Sequence, residues 1–200
     1  FSYIKKIKAP ILYQAIIVFT AYSAYKGIDY YSQFFYEILG YSQEKSALTM
    51  SNLSYLRPLC AISAGLIADK ISATRSTIFL FILSSFAFLL LSLSHIFHID
   101  IIILSNIIIS MVAVFSLRGI YFCYLKEINI PTSVTGLTVG IISLIGYFPD
   151  IYIGPLFGFI LDNYEKSEAF SKCFLFIFFI SFLGTCSSLL LNYYKIKTNK

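Results

Sequence analysis

Six apolar runs, each long enough to cross a bilayer as a helix, constrain this chain more than any single motif in it. A helix needs roughly 20 apolar residues to cross the hydrocarbon. The runs at 11–36, 46–68, 76–95, 100–124, 132–161 and 171–193 meet that length. The first and fifth exceed it, which predicts tilt, kinking or extension past the lipid. Between the runs lie LGYSQEK, DKISATR, HIFHID, LKEINIP and DNYEKSE, connectors too short to hold a soluble domain. A soluble globule of 200 residues, 58% hydrophobic and 12% charged, could not cover that much apolar surface. The expected class is therefore an all-α integral membrane protein with six transmembrane helices.

The basic residues sort by side. With the N-terminus in the cytoplasm, Lys5, Lys6, Lys8, Lys70, Arg75, Lys126, Lys195, Lys197 and Lys200 fall inside, nine in all, while Lys45, Lys166 and Lys172, three, fall outside. That asymmetry satisfies the positive-inside rule and puts both termini in the cytoplasm. It also explains the net charge of +5 by topology, leaving no basic patch for nucleic acid. The chain opens on Phe1 without a signal-peptide pattern, and is expected to be a piece of a longer protein. Cys60, Cys123, Cys173 and Cys186 form no CxxC pair and are expected as small buried hydrophobes. His95, His98 and Asp100 in the outer loop are expected as an exposed turn, not a metal site. The sequon at Asn52 lies inside a span. No metal or cofactor is expected.

Ionisable groups at membrane depth are costly unless they pair or face water, so each marks a candidate site. Lys26 and Asp29 in AYKGIDYYSQFF are three apart and share a helical face. They balance one another or line a polar cavity, in which Gln14, Tyr22, Tyr25, Tyr30 and Gln33 would join them. Arg57 could pair with Asp29 or Asp150, or bind an anionic solute. Arg118, nearer the cytoplasmic end, is expected to hold loops. In GYFPDIYIGPLFG, Asp150 follows Pro149 near mid-depth and is expected to face the cavity. Gly136, Gly140, Gly146, Gly154 and Gly158, at mostly four-residue offsets, predict a smooth face for close helix packing, with kinks at Pro149 and Pro155.

GLIADKISATR resembles the cytoplasmic loop motif of the major facilitator superfamily, Gly-x-x-x-Asp-Arg/Lys followed by further basic residues. Gly65, Asp69 and Lys70 match it and Arg75 supplies a later basic residue, while Ser72 stands where the family has a second glycine. The motif lies between the second and third spans, where the family carries it. The resemblance covers essentially the whole chain. It implies the C-terminal six-helix half of a twelve-helix fold, with residues 1–10 ending a central cytoplasmic loop, 11–194 forming the bundle and 195–200 a tail. It also implies a missing N-terminal six-helix half as partner, and a gate in which Gly65 lets helices approach and Asp69 accepts from helix amides. The fifth span is similar to bacterial facilitators loosely related to organophosphate antiporters. Their basic residue in the first helix would fall at Ala24, so phosphate recognition is not carried over to Lys26.

These readings converge on a secondary transporter of a small polar or anionic solute, working by alternating access. Asp29 or Asp150 would carry a coupled proton. The alternative is a non-transporting membrane sensor or scaffold that retains the facilitator fold. An intramembrane enzyme is not expected, because the chain lacks a Ser/His pair at depth, a paired-aspartate motif and metal-ligand spacing.

Overall fold

The computed structural model describes residues 2–94, 96, 99–127 and 132–198; His95, His98 and the connector at 128–131 lie outside the described residues. Every element among the described residues is helical: α1 (Ser2–Ile28), α2 (Tyr31–Glu37), α3 (Gln43–Ser54), α4 (Leu56–Lys70), α5 (Ala73–Ser92), α6 (Asp100–Ile120), α7 (Tyr124–Glu127), α8 (Thr132–Gly146), α9 (Pro149–Asn163) and α10 (Lys166–Thr198). Four stretches are long and apolar enough to cross a membrane: Ala73–Ser92, Asp100–Ile120, Val134–Asn163 and Lys166–Lys197. The expected spans 11–36 and 46–68 are not among them. Both are broken in the middle, and Gln14, Lys26 and Asp29 in one and the polar α3 in the other dilute their apolar length.

Each break has a local cause. At Asp29 and Tyr30 the amides reach back only three residues, to the carbonyls of Lys26 and Gly27, at 3.3 Å each. Pro58 has no amide to give Ser54 and its ring crowds that carbonyl, so the helix interrupts at Tyr55. Pro149 likewise cannot reach Ile145, whose carbonyl instead accepts from the Phe148 amide at 3.3 Å. Pro149 then opens α9, where its fixed backbone angle suits a first turn.

The long α10 packs against α5 and α1, α6 lies against α4 and α5, and α8 leans on α1. The larger buried cluster includes Phe34, Phe88, Met111, Phe115, Phe157 and Phe174, and a second gathers Ile17, Phe81, Tyr121, Tyr124 and Leu191. Cys60 and Cys173 are buried and all four cysteines are free thiols.

Close helix approach falls at one of the expected glycines, Gly146, and at others that were not expected. A β-carbon on Gly119 would come within 2.8 Å of the Ala61 backbone, so α4 and α6 meet there. One on Gly184 would strike the Phe81 ring and the Thr20 hydroxyl. Of the fifth-span glycines only Gly146 is close to a neighbour, since a β-carbon there would strike Val18; Gly136, Gly140, Gly154 and Gly158 face open space, as does Gly65. The smooth stripe exists, but within this chain nothing packs on most of it.

Candidate functional site

Five ionisable side chains from four helices meet on one face. Lys26 on α1 lies 2.7 Å from Asp29 Oδ2, as the three-residue spacing predicts, and 3.5 Å from Oδ1 of Asp150 on α9. The Tyr22 hydroxyl donates to Asp150 Oδ2 at 2.9 Å. One cation and one hydroxyl thus hold the two carboxylates. Neither acid is enclosed: the Asp29 and Asp150 side chains are 44% and 50% exposed.

The arginines behave differently. Arg57 on α4 and Arg118 on α6 both reach the Tyr25 ring, their guanidinium carbons 5.2 and 3.9 Å from its centre. Arg57 also lies 5.3 Å from the Phe115 ring and Arg118 5.4 Å from Tyr22. Among the described residues neither forms an ion pair. Of the three roles open to Arg57, pairing with Asp29 or Asp150 is therefore not what the structure shows. Arg118 does more than the loop-holding expected of it: beside a hydrogen bond to Tyr121 in the turn after α6, it joins the aromatic platform one helix away. Its position in the sequence, two residues inside the end of α6, concealed that. Tyr147 was also unforeseen; its ring packs edge-on against Tyr22 at 4.8 Å, and its hydroxyl lies 3.4 Å from that of Tyr121.

Magnitudes decide what holds the arginines here. A cation–π contact contributes about 0.5–1 kcal/mol at an exposed site and about 2 when desolvated. An arginine at mid-membrane costs roughly 2.5–3.5 kcal/mol by insertion scales. Four aromatic contacts, two to each guanidinium, are of the same order as that cost, so within this chain the rings are the arginines' main partners.

Other expected residues lie apart. Gln33, on α2, makes no hydrogen bond among the described residues. Gln14 is buried and donates its amide to the Tyr121 carbonyl, bracing α1 against the end of α6. Tyr30 packs on Phe157, with ring centres 4.8 Å apart. Gly154, Pro155 and Gly158 continue α9 beyond the cluster.

The motif loop also differs from expectation. Asp69, near the C-terminal end of α4, is exposed and forms no ion pair among the described residues; the helix dipole there disfavours a carboxylate. The α5 amides go instead to Glu127 on α7, which accepts from Ala73 N–H at 2.7 Å, Thr74 N–H at 3.3 Å and the hydroxyls of Ser72 and Thr74. Lys195 on α10 completes the cluster at 2.7 Å. Burial pushes the Glu127 carboxyl up, but the Lys195 ammonium, the Thr74 hydroxyl and the Ala73 amide outweigh it and hold the acid below the usual range. A capping carboxylate 54 and 53 residues from the two amides it serves leaves no signal at helical spacing.

A stretch of 58 residues is 36% identical to a protein described as inner membrane protein YqcE of Escherichia coli (strain K12). The match covers 29% of this chain and 14% of that protein, so the chain matches only a small part of its relative's length. No protein-family model and no solved structure matches. With the four apolar stretches, this decides the class. The chain is an all-α membrane protein.

Proposed function

We propose that this chain is a six-span half of a secondary transporter of the major facilitator type, moving a small anionic solute by alternating access. The observation that carries the reading is the division of charge on one face: Lys26 engages both carboxylates, while Arg57 and Arg118 share the Tyr25 ring and, among the described residues, form no ion pair. Three cations against two carboxylates leave the face net positive, suited to an oxyanion held between two guanidinium groups. The spans are α1–α2, α3–α4, α5, α6, α8–α9 and α10, with both termini cytoplasmic in a bacterial inner membrane. The second half of the carrier covers the ionisable face and the open glycine stripe of α8 and α9. Helices broken beside Asp29, Arg57 and Asp150 support the same reading, because breaks at a midplane site are a recurring device of transporters. Asp150 is the proton carrier: it shares Lys26 with Asp29, and losing its charge would loosen Tyr22.

Counterflow in proteoliposomes tests this, with small carboxylates and inorganic phosphate as trial solutes. Uptake is expected for an anion and not for its neutral isostere. Arg57→Gln and Arg118→Gln should each lower it at least tenfold, and Asp150→Asn should abolish its dependence on a pH gradient. Binding without flux would favour the sensor or scaffold reading.

A further inference from the structure

A groove away from the ionisable face has a different chemistry. It encloses about 620 Å³ between α4, α5 and α6, and its walls include Leu59, Ser63, Ile67, Phe79 and Leu83. Helices α4 and α5 each pack closely on α6 but touch one another less, which leaves the groove open along its length. Its lining is mainly apolar, with the Ser63 and Ser116 side chains along the walls and Arg75 and Ser76 at one end, in the first turn of α5 beside Ile71. Arg75 is exposed and makes no ion pair among the described residues, and the Ser76 hydroxyl, though buried, lacks a hydrogen-bond partner. Lys70, also exposed, ends α4 one residue before Ile71.

We propose that this groove is a binding site for one anionic phospholipid. One acyl chain lies between α4 and α5, and the phosphate sits on Arg75. Dimensions support the fit. From Leu59 to Ile71 the α4 wall is about 18 Å long at 1.5 Å per residue, close to the ~15 Å that one leaflet contributes to a ~30 Å hydrocarbon core. An acyl chain entering at Ile71 therefore ends near Leu59, about where the opposite leaflet begins. Charge complementarity chooses the headgroup: a cation without an acid at the basic end of the bundle, with a free hydroxyl next to it, suits a phosphodiester with no ammonium of its own. The groove also gives Arg75 a use within the motif loop that Asp69 does not supply.

The test is native mass spectrometry of the purified protein, paired with melting in nanodiscs of phosphatidylglycerol or of phosphatidylcholine. The wild type should keep one phosphatidylglycerol through detergent exchange and melt at a higher temperature in the anionic disc. Arg75→Gln should cut the preference for phosphatidylglycerol about fivefold, the worth of one basic residue at an anionic surface, and Arg75→Lys should keep most of it. Ser63→Trp, which fills the groove without touching the cation, should remove the retained lipid of either kind. Equal binding of the two lipids, an unchanged preference in Arg75→Gln, retention in Ser63→Trp, or protection by inorganic phosphate alone would each overturn the proposal. Two copies held together without lipid would assign the groove to an interface and overturn it as well.

Discussion

Glu127 and Arg118 show how much a single side chain decides here. Glu127 caps the first turn of α5 and bonds Lys195 of α10, so one carboxylate joins three helices at one end of the bundle. Its folded-state pKa lies below the roughly 4.3 expected of an unfolded glutamate. The stabilisation it provides is therefore complete above that value and is lost as pH falls through the folded pKa. Glu127→Gln is expected to cost about 1 kcal/mol at neutral pH, as a lost helix cap does, and to flatten the acid limb of stability measured by thermal melting from pH 7 to 3. An unchanged acid limb would remove Glu127 from this role. Sequence spacing found Lys26 with Asp29, since a three-residue offset on one helix is geometry enough. It found neither the stacking of Arg118 on Tyr25 nor the capping by Glu127, because both depend on how separate helices are placed.

At the scale of helices, prolines proved more informative than glycines. Pro58 and Pro149 each mark a break, and those breaks lie beside Arg57 and Asp150. Proline acts through its own missing amide and needs no partner to do so. Glycine spacing says only that a face is smooth; which smooth face meets another helix is a matter of packing. Gly119→Ala is expected to destabilise the bundle by about 1–3 kcal/mol, the usual cost of overpacking, because its new methyl would meet the Ala61 backbone. Gly154→Ala and Gly158→Ala, which face open space inside α9, should not destabilise the bundle in detergent and should each add about 0.5–1 kcal/mol through helix propensity. In the proposed carrier they should slow transport, since that stripe slides against the second half. Unfolding titrations beside counterflow rates on the same variants separate the two effects.

For the whole molecule, the ends of the bundle differ in their polar pairs. Glu37 and Lys166 join α2 to the start of α10 at 3.4 Å, and Glu127 and Lys195 join α7 to its other end. In the proposed six-span arrangement, with each broken pair counted as one span, both chain ends lie on one side of the membrane. Reporter fusions after residue 200 and before residue 1 should both read cytoplasmic, and fusions in the 37–45 and 164–167 connectors external; a split result would discard the six-span topology. The sequence alone determined that this is a helical membrane protein, where its apolar runs lie and which charges would be costly there, because length, hydropathy and proline chemistry act locally along the chain. Only the tertiary structure decided that Lys26 takes both acids, that two arginines from different helices share one tyrosine, and that the glycine stripe lies uncovered. Those outcomes depend on the crossing of helices far apart in sequence, and no spacing along a single helix encodes the distance between two of them.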